Sequence, residues 1–125
     1  MSTELTPALK DFISRHIASV EQLEVLLLLY EGRGRDWSAA EIDQRLRSQP
    51  ASIEKWLEII VSQGLAQRTG DRVKFFPASP ELGDNAALVA RAYRERPIKI
   101  IELIFAKPDK GLLDFVRAFN LRKNP

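Results

Sequence analysis

Between Leu5 and Ile17 the apolar residues Leu9, Phe12, Ile13 and Ile17 recur at three- and four-residue spacing, which predicts a helix with one buried stripe. Pro7 falls in its opening turn, where a missing N–H costs little. Ser19 with Gln22 three residues on reads as a capping box for a second helix, Val20 to Glu31. Leu23, Leu26, Leu27, Leu28 and Leu29 surround that helix almost completely, so it should be central and buried. Ser38-Ala39-Ala40-Glu41 is a second capping box, and it opens a short helix with Ile42 and Leu46 as core positions. Pro50 suits only the first turn of a new helix, expected from Ala51 to Gln63, with Gly64 as its left-handed stop.

Next, Leu65 to Arg68 and Val73 to Phe76 flank Thr69-Gly70-Asp71-Arg72, the pattern of a tight β-hairpin. Pro77 and Pro80 mark a loop, and Asp84 to about Arg94 reads as helical. Pro97 starts or kinks a further helix whose Ile98, Ile100, Ile101, Leu103, Ile104 and Phe105 leave little polar surface. Pro108 and Asp109 open a last one carrying Leu112, Leu113, Phe115, Val116 and Phe119. No internal repeat or low-complexity segment interrupts this order.

The chain has 125 residues, which fits one domain able to bury roughly two-thirds of its unfolded surface. With 45% apolar and 29% charged residues it has the balance of a folded globular protein. The absence of cysteine excludes disulfides, thiolate metal sites and cysteine nucleophiles, and one histidine, His16, cannot build a multi-histidine metal site. No signal-peptide layout and no apolar run near the roughly 20 residues of a membrane span are present, so a cytoplasmic protein without membrane contact is expected. The net charge of +2 hides an asymmetry. Residues 1–64 carry seven Lys/Arg against ten Asp/Glu, and residues 65–125 twelve against seven. Anionic partners should therefore prefer the second half.

Helix, capped short helix, turn, helix ending in Gly-Leu and hairpin is the order of a winged helix-turn-helix. Residues 20–76 resemble that fold, especially its MarR-like branch, through Trp37-Ser38-Ala39-Ala40-Glu41-Ile42, Pro50-Ala51-Ser52-Ile53, Leu57 and Gly64-Leu65. The family's short strand before the first motif helix would be Asp36-Trp37. The whole chain also resembles small bacterial winged-helix proteins, a likeness that brings no activity with it. The expected fold is mainly α with a small β-hairpin wing: one domain with an N-terminal helix (5–18), the winged helix-turn-helix (20–76) and C-terminal helices (84–120).

The resemblance implies that Ala51 to Gln63 is a recognition helix for the major groove of double-stranded DNA. Ser52 and Lys55 would then contact the groove, and Arg68, Arg72 and Lys74 of the wing would meet phosphates. It also implies a homodimer formed by the terminal helices, which fits the apolar circumference of 98–105; a helical hairpin folded back onto the winged domain is the alternative reading of those residues. Relatives keep small polar or basic residues where Ala51, Glu54 and Ile59 stand. That departure opens a second reading, a winged-helix module turned to protein–protein interaction.

Enzymatic chemistry has no foothold. Asp11, Ser14 and His16 lack an orienting partner and a pocket in the sequence, and Gly32-Arg33-Gly34-Arg35 lacks the spacing of a phosphate loop. No catalytic residue, metal or cofactor is expected. Trp37 and Trp56 read either as core or as the walls of an effector pocket.

Overall fold

The structure is a computed structural model that describes residues 4–106. The helix expected from Asp109, and the C-terminal part of the 84–120 region with it, lie outside the described residues. Six helices and three strands follow in the order α1 (Pro7–His16), α2 (Val20–Glu31), β1 (Trp37–Ser38), α3 (Ala39–Leu46), α4 (Pro50–Ser62), β2 (Ala66–Thr69), β3 (Arg72–Phe75), α5 (Pro80–Glu95) and α6 (Pro97–Ala106). This is a mostly helical winged helix-turn-helix with added helices at both ends, as the sequence pattern leads one to expect.

The leucine-rich α2 lies at the centre. Leu23, Val25, Leu26, Leu27 and Leu29 are buried, and α2 meets α3, α4, α5 and β3. One polar side chain, Gln22, is fully buried with them. The capping box read at Ser19 is only half formed. Ser19 Oγ accepts from the Gln22 N–H at 3.0 Å, but Gln22 Oε1 accepts from the Ala18 N–H at 2.6 Å instead of closing back on Ser19. Gln22 Nε2 donates to the His16 carbonyl at 2.5 Å. That carbonyl also accepts from Gln63 Nε2 at 2.8 Å, so one buried amide joins the ends of α1 and α4 to the start of α2. Burial without those partners would cost several kcal/mol, roughly 1–3 per polar group.

At Ser38 the capping box is complete: its Oγ accepts from the Glu41 N–H at 3.2 Å and the Glu41 carboxylate accepts from the Ser38 N–H at 3.0 Å. Arg47 ends α3 in the left-handed region (φ 54°), and Pro50 opens α4 in its first turn. At the far end of α4, Gly64 takes φ 79°. The Leu65 and Gly64 N–H groups bond back to the Ile60 and Val61 carbonyls, a Schellman stop that turns the chain into β2.

The antiparallel sheet has the order β1-β3-β2. Trp37 pairs with Val73, Arg68 with Val73 and Ala66 with Phe75. Directly opposed residues share a face, so Trp37, Val73, Ala66, Phe75 and Arg68 point inward while Gln67, Thr69, Arg72 and Lys74 point outward. Phe75 packs edge-on against Tyr30 of α2, with centroids 5.3 Å apart. Trp37 is core, not a pocket wall. Its ring lies on Gly32, with the Arg35 guanidinium 3.9 Å from its centroid.

Helix α5 starts four residues earlier than expected, at Pro80. Ser79 Oγ accepts from the Leu82 N–H at 3.2 Å, and Pro80 occupies the first turn, where it needs no N–H. Proline at 77 breaks the chain, whereas proline at 80 begins a helix. Helices α1, α5 and α6 pack on one another and α5 also packs on α2, which leaves α3, α4 and the sheet on the other side of α2. No helix among the described residues is long and apolar enough to cross a membrane.

The close seating of Trp37 generates a test. A Cβ at Gly32 would stand 2.7 Å from Trp37 Cζ2, whereas one at Gly34 (φ 94°) would meet nothing within 4 Å. Gly32→Ala should therefore cost about 1–3 kcal/mol by overpacking and alter the near-ultraviolet circular dichroism of Trp37. Gly34→Ala should cost about 1–2 kcal/mol by backbone strain alone and leave that signal unchanged. Urea unfolding and near-ultraviolet spectra of the pair check this, and identical spectra for both variants would refute the packing argument.

Candidate nucleic-acid interface

Helix α4 buries Ile53, Leu57 and Ile60 against α2 and α3. Its other side leaves Ala51, Lys55, Glu58 and Ser62 exposed, with Glu54, Trp56 and Ile59 half-buried at the margins. The hairpin stands beside this face, so the fold places all five expected contact residues on the α4–wing side of the molecule. What it does with them differs from residue to residue.

Ser52 is held by a carboxylate. Glu21, at the start of α2, accepts from Ser52 Oγ, from Ser48 Oγ at 2.8 Å and from Trp56 Nε1 at 2.7 Å. The hydroxyl of Ser52, followed by that of Ser48, holds the Glu21 carboxyl below its ordinary range against the opposing effect of burial. Trp56 and the more distant charge of Lys55 act in the same direction. Lys55 itself is exposed, its Nζ 4.9 Å from the centroid of the Trp56 ring.

In the wing, Arg68 turns inward and its Nη2 sits 2.6 Å from Glu54 Oε1, tying β2 to the middle of α4. Arg72 reaches two carboxylates: Nε lies 2.7 Å from Asp36 Oδ1 and Nη2 lies 2.7 Å from Glu41 Oε1. Arg35 Nη2 takes the other Glu41 oxygen at 2.9 Å. Lys74 points outward, 5.5 Å from the centroid of Phe76. Neither Lys55 nor Lys74 has a carboxylate within ion-pair distance among the described residues, whereas Ser52, Arg68 and Arg72 all do hydrogen-bonding work inside the protein.

The sequence reading did not find Glu21, Glu54 or Asp36 as partners. One signal for Arg68 was present: the two-residue strand period gives it the inward side of Ala66. For Glu21 there was none, because its three donors lie 27 to 35 residues away along the chain. His16 lines a cavity with Asp11, Arg15 and Glu81. Its Nδ1 lies 3.1 Å from the Phe12 carbonyl and its ring stacks on Phe12 at 4.4 Å, while Asp11 pairs with Arg15. Among the described residues no group of three or more His, Asp or Glu is arranged to hold a metal ion.

No protein-family model matches the sequence, and no curated protein is significantly similar to it. Solved structures are more informative. The reduced form of MarR from E. coli superimposes with a TM-score of 0.50 at 14% identity, over 94% of this chain and 82% of that one. A mutant of the same MarR gives a TM-score of 0.49 at 13% identity, over 94% and 86%. The fold is that of a MarR-like winged helix.

Glu41 supplies a prediction for pH. The Ser38 N–H first, then Arg35, the Ser38 side chain and Arg72, hold its carboxyl down to about 2 from an ordinary 4.5. A depressed pKa contributes stability that is complete above the unfolded value and disappears as pH falls through the folded one. Glu41→Gln should therefore be less stable than the parent at neutral pH, and the gap should close between pH 4.5 and about 2. Urea unfolding of both proteins across that range checks the sign; a gap absent at pH 7 would show that these links add nothing.

Proposed function

We propose that this chain, a MarR-like winged helix by fold, is a DNA-binding transcriptional regulator that acts as a homodimer. Helix α4 enters the major groove and the hairpin lies on the adjacent backbone. The observation that carries this reading is the setting of α4: one side buried in the core, the other exposed, and the hairpin fixed beside it by the Arg68–Glu54 ion pair. In this assignment Lys55 and Lys74 meet the nucleic acid, while Arg68 and Arg72 orient the wing and Ser52 orients α4. The exposed apolar side chains Ile98 (67%) and Phe105 (75%) of α6 support association through the terminal helices.

Fluorescence-anisotropy titration against mixed-sequence duplex DNA at low and near-physiological salt tests it. Two lysines per protomer give a dimer four phosphate contacts, so log K should fall against log salt with a slope of about −3 to −4. Lys55→Ala and Lys74→Ala should each flatten that slope by about 2 in the dimer. Arg72→Ala should act chiefly through lowered folding stability. Absence of binding at low salt would sink the proposal.

One observation favours a second reading. The arginines and Ser52 are satisfied internally, and half-buried Ile59 lies beside exposed Glu58; such a nearly neutral face suits a protein partner. A protein lacking any affinity for DNA, whose function is lost in Ile59→Arg, would fit that reading.

A further inference from the structure

Four carboxylates are fixed around the α4–wing side by hydrogen bonds. Asp36, Glu41 and Glu54 are each paired with an arginine. Glu21 differs: its three hydrogen-bond donors, Ser48, Ser52 and Trp56, are all neutral. They satisfy its oxygens without cancelling its charge, and no cation stands within ion-pair distance of it among the described residues. Glu21, Ser48, Ser52 and Trp56 are each half-buried, so solvent screens the charge incompletely. The cation that acts on Glu21 at longer range is Lys55, the one basic residue on the α4 surface.

We infer that Glu21 holds down the protein's affinity for DNA, in addition to the exposed Glu58 of α4. The inference rests on the DNA-binding reading above and deepens it. Glu21 anchors the α3–α4 turn and the first half of α4, where Ser48 and Ser52 would otherwise offer hydroxyls to the backbone. It also sets a negative charge that has no ion-pair partner among the described residues beside the phosphates, and it draws on the field of Lys55. Anchoring and attenuation come from one carboxylate, and neutralising it separates them: Gln keeps an acceptor oxygen for Ser52 and Trp56, offers Ser48 Oγ an N–H to accept from, and removes the charge.

The test compares the parent, Glu21→Gln, Glu21→Ala and Glu24→Gln by anisotropy with mixed-sequence duplex DNA, alongside thermal melts. Glu24→Gln is the control for net charge: it lies on the same helix, and its charge acts on Tyr93 of α5. Glu21→Gln should bind roughly five- to tenfold tighter than the parent at low salt, with the gain shrinking as salt screens it. Glu24→Gln should show little gain. The two Glu21 variants should melt at or below the parent temperature, so affinity and stability move in opposite directions. A purely structural role would lower both.

Either folded neutral variant decides the matter. Binding by the parent with no gain in Glu21→Gln or Glu21→Ala, or a gain matched by Glu24→Gln, overturns the inference and leaves the DNA reading standing. Binding that appears only on neutralising Glu21 supports both. Absence of binding in every protein at low salt removes the DNA reading itself, and this inference with it.

Discussion

A helix that is apolar almost all round cannot sit on a surface, and everything else in this fold is arranged to cover α2. Leu23, Leu26 and Leu29 are fully buried, and each exposure avoided is worth about 1.5–3 kcal/mol. Covering one helix on all sides requires two layers. Helices α1, α5 and α6 form one, and α3, α4 and the sheet form the other. The outward side of α4 is thus a consequence of its inward side: Ile53, Leu57 and Ile60 must face α2 and α3, so Lys55 and Glu58 must face away. The buried Gln22 amide fixes the seam between the layers, because only one placement satisfies both its oxygen and its nitrogen.

The charge asymmetry along the sequence takes on a different meaning in three dimensions. The excess of acid in residues 1–64 and of base after residue 65 reads first as a basic half seeking an anionic partner. Three of those bases meet acid from the first half instead: Arg68 with Glu54, Arg72 with Asp36 and Glu41, Arg94 with Glu31. These pairs are partly exposed, so each adds little to stability on its own. Their larger effect is geometric, since two of them fasten the hairpin to α4 and to the start of α3. Electrostatic complementarity within the chain links the wing to α4 and α3 and, in doing so, removes charge from the face beside them.

The elements of the fold were legible because their signals are local. Ser38 with Glu41, and Gly64, each fix a boundary through bonds to residues three positions away, and Pro50 opens α4 because its fixed φ and missing N–H suit a first turn. Ser79-Pro80 carried the same kind of signal, but two prolines in close succession read more readily as a loop than as a loop followed by a first turn. Side-chain chemistry was legible only where it follows from backbone period. Ser52 and Lys55 lie three residues apart near the same edge of one helix, yet one hydroxyl is engaged and one ammonium is open. That difference comes from Glu21, more than thirty residues away from Ser52. Propensity and pattern carry no information about such a partner; only the packing of α2 against α4 brings it there.

The division between engaged and open cations follows from the chemistry of the two basic side chains. An arginine fork can serve two carboxylates at once, as Arg72 does with Asp36 and Glu41 at 2.7 Å each. Its donors lie in a plane, and less rotamer freedom is lost per bond formed. A lysine ammonium is a strongly hydrated point charge on a flexible stem, better suited to a diffuse field of phosphates than to a fixed internal pair. On the α4–wing side, arginines hold the architecture and lysines face outward. Exchanging Arg72 for Lys would therefore not be conservative: the charge would remain, but one of its two side-chain links, to Asp36 just before β1 or to Glu41 of α3, would be lost.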